Sequence, residues 1–386
     1  MIRGYRIKIF LKEEQKKMIH KSFGCTRFIY NWCIDRISEN YNETKKTLSS
    51  IELQKEIVIL KKQVEYSWLN EVSANMLKQV TIDCSNAYKR WFKLIKQNNN
   101  IKGKPRYKSR KSKQNCPTRT DRMTFNGRYV HLEKIGVVKL SKVKIALDGK
   151  LMNARLSFDG LDYWLSFGVE YKDVQLEEKP KTEPIGIDLG LKDFAICSDG
   201  KIFKNINKTK KVKKLEKKLK QKQRQISRKY EMNKIKKEGG GRCQFIKTKN
   251  IEKLENTTKL IHRKLTNIRN NYLHQVTLSI VKTKPYRIVI EDLNVSGMMK
   301  NKHLSDSVRK QCFNKFRQYI TYKAEINGIE LVVADRFYPS SKTCSQCGSM
   351  KKDLKLKDRI YRCPHCGAII DRDYNASLNL SMYKLA

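Results

Sequence analysis

The chain has 386 residues, 84 of them Lys or Arg against 38 Asp or Glu, for a net charge of +46, and 39% are hydrophobic. That length and apolar content describe a globular chain of two or three domains. So basic a chain repels itself when compact unless a polyanion neutralises it, which points to nucleic acid. An acidic membrane surface is the weaker partner, because the basic residues are spread along the chain without an amphipathic helix bearing an aromatic face. Met1 to Phe10 carries charge throughout and no window approaches a membrane span, so a protein made and kept in the cytosol is expected. Eleven cysteines, an odd number, argue for metal ligands and buried thiols over a disulfide framework.

Tyr5 to Phe10 alternates polar and apolar residues and predicts a strand. Helical spacing follows in three segments: Ile29, Trp32, Cys33 and Ile37; then Leu53, Ile57, Leu60 and Val64; then Met76, Val80, Ala87, Trp91 and Leu94. The third helix starts near Ser73 and offers Asn75, Lys78 and Gln79, amide and basic groups suited to base edges and phosphates, or simply a solvated face. Residues 101–122 carry nine basic side chains and one acid, with Gly103 and Pro105 opposing regular structure. Lys104, Arg106, Tyr107, Lys108 and Arg110 mix positive charge with an aromatic ring, the composition of a nucleic-acid-binding loop.

Strand patterns return at residues 129–132, 136–140, 154–158 and 163–167, separated by Asn-Gly and Asp-Gly turns. They predict an antiparallel barrel or sandwich that also takes in the opening strand, with the helical segment inserted, and Val174 to Pro184 as the following linker. Beyond it, Ile185-Gly186-Ile187-Asp188-Leu189-Gly190 and Asp193 to Cys197 are two short apolar runs around a turn, with Asp188 at the end of the first. Residues 201–230 hold 14 basic side chains and one acid, with Leu215 and Leu219 at helical spacing; this basic helix breaks near Gly239-Gly240-Gly241 and resumes towards Lys282. Tyr286 to Ile290 predicts a buried strand of an α/β sheet that ends in Glu291, a helix is expected over 305–327, and a further strand over 330–334.

Two patterns carry chemistry. Cys344-Ser345-Gln346-Cys347 and Cys363-Pro364-His365-Cys366 are CxxC knuckles 15 residues apart, the spacing of a ribbon that brings four thiolates onto one structural Zn2+. Asp371-Arg372-Asp373 then opens a short amphipathic helix, where Asp373 serves as a cap or as a ligand. Asp188, Glu291 and Asp373, gathered at one point of an α/β sheet, would repel one another without a cation. Two Mg2+ ions about 4 Å apart would resolve that and support in-line hydrolysis of a phosphodiester.

At these residues the sequence resembles the TnpB family of transposon-encoded, RNA-guided nucleases related to type V CRISPR effectors. The resemblance rests on residues 23–32, on Gly103-Lys104-Pro105-Arg106-Tyr107-Lys108-Ser109, on Gly186-Ile187-Asp188-Leu189-Gly190 and on Glu291-Asp292-Leu293-Asn294-Val295. It continues in residues 336–344 and in Asp373-Tyr374-Asn375-Ala376. It implies a multidomain α+β protein: a split wedge-type β-barrel (1–10 and 101–177), an inserted helical recognition module (11–100), and an RNase H-like, RuvC-type nuclease domain (178–386) with a zinc ribbon inserted at 340–369. By motif position Asp188, Glu291 and Asp373 would be the catalytic, Mg2+-binding acids; Ser377, where the family often has Ala, is a mild departure. The implied partners are a noncoding guide RNA from the transposon end and target DNA beside a short flanking motif, which the helical module and barrel would read. The alternatives are a nuclease-inactive RNA-guided repressor, a DNA-joining transposase and a zinc-ribbon nucleic-acid-binding protein without catalysis.

Overall fold

The computed structural model describes residues 2–98, 103–141, 148–171, 182–235, 244–355 and 358–384. The chain divides into two compact units, Met1–Val174 and Gln175–Ala386.

The first unit is built on strand β1 (Ile2–Phe10), whose alternation buries Ile7 and Ile9. Helices α1 (Glu13–Thr44), α2 (Ser50–Leu60) and α3 (Ala74–Asn98) follow. Ser49 starts α2 with a reciprocal cap: its hydroxyl accepts the Glu52 N–H while the Glu52 carboxylate accepts the Ser49 N–H. Six more strands complete the unit: β2 (Gln114–Pro117), β3 (Thr124–Asn126), β4 (Tyr129–Leu132), β5 (Gly136–Leu140), β6 (Lys150–Phe158) and β7 (Tyr163–Glu170). They form one antiparallel sheet in the order β2-β6-β7-β1-β5-β4-β3, so the opening strand lies between strands that come more than a hundred residues later. Ile19 and Phe23 of α1 and Met76 of α3 pack into the core of this sheet. A second core joins Ile29, Cys33 and Ile37 to Leu53, Ile57 and Leu60 and to Val80, Cys84 and Tyr88.

Three local expectations change here. Val64 is 90% exposed, because α2 stops at Leu60 and a 3-10 turn over Val64–Glu71 follows. The buried stripe of α3 runs through Leu77, Val80, Cys84 and Tyr88, leaving Leu94 exposed. The basic loop also contains an edge strand, β2, whose Cys116 is buried.

The second unit opens with β8 (Ile185–Leu189), β9 (Asp193–Cys197) and β10 (Ile202–Lys204). The basic helix α4 (Lys210–Met232) runs to a two-residue pairing of β11 (Lys234–Ile235) with β12 (Gln244–Phe245); the three glycines lie outside the described residues. Helix α5 (Lys249–Val281) packs back on α4 through Val212, Leu215, Leu219, Ile261, Leu265 and Ile268. Then come β13 (Arg287–Glu291), α6 (Val295–Lys300), α7 (Ser305–Gln311), α8 (Phe313–Ile326) and β14 (Glu330–Ala334). The single helix expected over 305–327 is broken at Cys312, whose φ of 57° is left-handed and ends the first segment. The ribbon strands β15 (Ile360–Arg362) and β16 (Ile369–Asp371) lead into α9 (Arg372–Ser381).

The five-stranded sheet has the order β10-β9-β8-β13-β14, with β8, β13 and β14 parallel. Period-two alternation divides its faces. Ile185, Ile187, Ile288 and Ile290 pack with Leu273, Val276 and Ile280 of α5 and with Phe313, Phe316 and Ile320 of α8. Val289 and Val332 pack on the other side with Leu380 of α9. Gly186 allows that second packing: a Cβ there would collide with the Ser377 carbonyl, the Ser381 amide and the Leu380 side chain.

Candidate active site and zinc ribbon

The same alternation aims the acids. With Ile185 and Ile187 on the α5/α8 face, Gly186 and Asp188 belong to the α9 face; with Ile288 and Ile290 on the first, Val289 and Glu291 belong to the second. Ile290 is paired with Ile187, so the next residues, Glu291 and Asp188, end neighbouring parallel strands side by side. The Leu189 N–H donates to Glu291 Oε1 at 3.1 Å and fixes that side chain across the strand ends. Asp373 stands in the first turn of α9, the helix packed on this face. Asp371 caps that helix, its Oδ1 accepting from the Asp373 and Tyr374 N–H groups at 3.0 and 3.1 Å, so the Asp373 carboxylate is not used as the cap.

All three acids line one cleft of about 530 Å³, together with Lys342, Lys355, Arg359 and Arg372. Burial, and then the facing Glu291 carboxylate, hold the Asp188 carboxyl well above its ordinary range. Burial raises Glu291 as well, against the pull of the Leu189 N–H, with Asp373 adding to the rise. Asp373 is ion-paired with two arginines: Arg372 donates from Nε and Nη2 to Oδ1 at 3.1 and 2.8 Å, and Arg359 Nη1 reaches Oδ2 at 3.3 Å. Oxygen donors that resist ionising together are a donor set for hard divalent cations. Arg372 is flagged in the sequence by the acids on either side of it, whereas nothing in the sequence singles out Arg359, Lys342 or Lys355 for the cleft.

The ribbon cysteines also meet. Among the described residues, Cys344, Cys347, Cys363 and Cys366 are the one group of three or more His, Cys, Asp or Glu side chains whose ligand atoms lie within 4.8 Å of one another. Cys344 Sγ is 3.7 Å from Cys366 Sγ, and Cys347 Sγ is 3.5 Å from Cys363 Sγ. The Cys366 N–H and the Ser349 hydroxyl pull the Cys363 thiol down to about 5, and Ser349 brings Cys347 to about 7. Cys366 rises to about 12, because its neighbouring sulfurs outweigh the Ala368 N–H. Four sulfurs so close cannot all ionise alone; a tetrahedral zinc fits them. Of the other cysteines, Cys25, Cys33, Cys84, Cys116 and Cys197 are buried, Cys312 is half-buried and Cys243 lies outside the described residues.

In the first unit, Asn75, Lys78 and Gln79 line a second cleft, of about 450 Å³, with Gln54, Arg119 and Arg155. Lys104, Arg106 and Arg110 are exposed, and the 60%-exposed Tyr107 donates its hydroxyl to Asp35. Lys108 turns inward: its ammonium lies 3.4 Å from the centre of the Tyr30 ring, Asn31 bonds both its N–H and its carbonyl, and burial lowers its pKa. No helix among the described residues is long and apolar enough to cross a membrane.

Three family models match the chain: "Helix-turn-helix domain" over residues 1–46, "Probable transposase" over 166–302, and "Cas12f1-like, TNB domain" over 313–380. The chain is 27% identical to a Streptomyces pristinaespiralis protein named "Putative RNA-guided DNA endonuclease", across all of this chain and 90% of that one. It is 26% identical to the Escherichia coli K12 "Putative RNA-guided DNA endonuclease InsQ", across 95% of this chain and 88% of that one. In fold it resembles the protein of a Cas12f1-sgRNA-target DNA complex, with a TM-score of 0.52 at 14% identity over 99% of this chain and 98% of the other.

Proposed function

The chain belongs to the TnpB family, and from that premise we propose that it is a transposon-encoded, RNA-guided DNA endonuclease. The observation that carries the reading is the meeting of Asp188 and Glu291 at adjacent parallel strand ends, in a cleft that Asp373 also lines. We assign Asp188, Glu291 and Asp373 as the acids of a RuvC-type, RNase H-like site that would hold two Mg2+ ions. Bound there, the cations would supply activation of the attacking water and neutralisation of the leaving oxygen. The chain's own part is to hold three carboxylates on the α9 face of the sheet, while Lys342, Lys355 and Arg372 keep the cleft attractive to a phosphate backbone.

The remaining roles follow from chemistry and placement. Cys344, Cys347, Cys363 and Cys366 would hold one structural Zn2+ in the ribbon at 340–369. The sheet of the first unit would be the wedge-type domain (1–10 and 101–177) and its helices the recognition module (11–100), followed by the nuclease domain from 178. Asn75, Lys78 and Gln79 are proposed to read the motif beside the target, and Lys104, Arg106, Tyr107 and Arg110 to follow the nucleic-acid backbone. Lys108 would support that loop from beneath through Tyr30 and Asn31. Sequence specificity would come from pairing between a noncoding guide RNA and DNA, which suits a protein rich in phosphate-binding charge.

The test is to purify the protein with RNA from its own locus and supply Mg2+ with plasmid carrying a guide-matched site beside a randomised flank. Cleavage confined to guide-matched plasmids with one flanking motif is expected. Stable target binding without any cutting would instead mark a guided repressor.

A further inference from the structure

Asp373 has two guanidinium partners of different kinds. Arg372 precedes it on α9, is 13% exposed and forks onto Oδ1 with two hydrogen bonds. Arg359 comes from the ribbon, is 48% exposed, and reaches Oδ2 with one nitrogen at 3.3 Å. The backbone sets this reach, because the Arg359 carbonyl accepts the Arg372 N–H at 2.8 Å, next to the β15–β16 pairing of Ile360 with Asp371. The three acids line one cleft, yet they do not draw together as the four thiolates do, with all ligand atoms within 4.8 Å. Asp373 is also the acid that the arginines engage directly.

We propose that Arg359 is a positioning residue that holds the Asp373 carboxylate in place of a divalent cation, so that loading the cleft and releasing the ribbon arginine are one event. This rests on the reading of Asp188, Glu291 and Asp373 as the metal-binding acids. A guanidinium and a divalent cation cannot share one carboxylate oxygen at contact distance without strong mutual repulsion. The buried, forked Arg372 is costly to displace, whereas a single half-exposed contact is weakly held and leaves readily. Once free, Arg359 stays on the cleft wall beside Lys342 and Lys355, a planar donor available to a phosphate. The ribbon, whose zinc cannot take part in chemistry when four thiolates fill its coordination sphere, thereby acquires a link to the acids.

The experiment is a Mn2+ titration followed by electron paramagnetic resonance, on the purified full chain without nucleic acid. Wild type, Arg359→Gln, Arg359→Lys and Asp188→Ala are compared, with zinc content and thermal midpoint recorded for each. Removing the competitor in Arg359→Gln is expected to tighten Mn2+ binding about two- to fivefold, the worth of a half-exposed ion pair. Arg359→Lys, which keeps the charge, should stay near wild type. Asp188→Ala should abolish the tight Mn2+ signal. Arg359→Gln protein that retains its zinc and binds Mn2+ no tighter than wild type, through a site still lost in Asp188→Ala, would overturn this inference alone. Mn2+ binding indifferent to Asp188→Ala would overturn the underlying assignment of the acids.

Discussion

Asn375 grips the Thr343 carbonyl through its side-chain N–H at 2.7 Å, and its side-chain oxygen accepts the Ser345 N–H at 2.9 Å. One fully buried amide on the helix that carries Asp373 therefore holds both sides of Cys344, the first ribbon cysteine. Asn379, one turn on, donates to the Ser340 and Thr343 carbonyls. Asn375→Ala would leave the half-buried Ser345 N–H without this partner and the Thr343 carbonyl held by Asn379 alone, at a cost of about 1–3 kcal/mol for the orphaned donor. The expected result is a lower thermal midpoint together with a loss of zinc, measured by differential scanning fluorimetry and elemental analysis on the same sample. Retained zinc with an unchanged midpoint would mean that the ribbon does not depend on this helix.

Gly186 makes the reciprocal demand from the sheet. Its missing Cβ is what lets α9 lie against β8, so Gly186→Ala must push the helix, and Asp373 with it, away from Asp188. Overpacking of this kind costs about 1–3 kcal/mol. The variant should fold, lose cleavage by at least an order of magnitude, and show faster proteolysis at its C-terminal helix. Wild-type cleavage by Gly186→Ala would contradict the close placement of the two acids.

The raised pKa values of Asp188 and Glu291 set a pH dependence in the absence of Mg2+. A carboxyl whose folded pKa lies above its unfolded value binds its proton more tightly when folded. It contributes stability that is complete below the unfolded pKa, about 4, and is lost as pH rises through the folded value. The thermal midpoint of Mg2+-free protein should therefore fall as pH is raised from about 4 towards neutrality. Asp188→Asn should flatten that slope and raise the midpoint at pH 7 by about 2–4 °C, corresponding to roughly 1 kcal/mol. A destabilised Asp188→Asn protein at neutral pH would show that the pair is not strained.

Elemental analysis should find about one zinc per chain, the stoichiometry of a single four-thiolate site. Cys363→Ser removes a thiol that is pulled down to about 5 and should cost the zinc and the ribbon's resistance to protease together. A zinc-free chain with an intact ribbon would count against a structural metal.

Much of the site can be read from residue patterns, because its determinants are local. In Ile185-Gly186-Ile187-Asp188, alternation alone sorts two isoleucines to one face and the glycine and acid to the other. The paired CxxC knuckles carry their own geometry. What was not legible depends on contacts distant in sequence. Arg359 is brought to Asp373 by the strand pairing that spans the ribbon, and Lys342 and Lys355 line the cleft from positions distant in sequence from all three acids. Periodicity also misjudged the ends of helices. Val64 continues the apolar spacing of α2 but falls beyond its last turn, and Leu94 continues that of α3 yet stays 41% exposed. β2 was hidden because its pairing with β6 supplies an edge strand that the basic, Pro-containing stretch does not announce.

The central claim is that the Asp188 carboxylate is required for cutting and dispensable for holding RNA. The most direct measurement compares wild type and Asp188→Ala side by side, each with the RNA of its own locus, for RNA affinity by filter binding and for cleavage of a guide-matched plasmid in Mg2+. The prediction is RNA affinity within about twofold of wild type, since one acid in a cleft adds little to a charge-dominated interaction, and no detectable cleavage. Cleavage by Asp188→Ala at the wild-type rate would contradict the account.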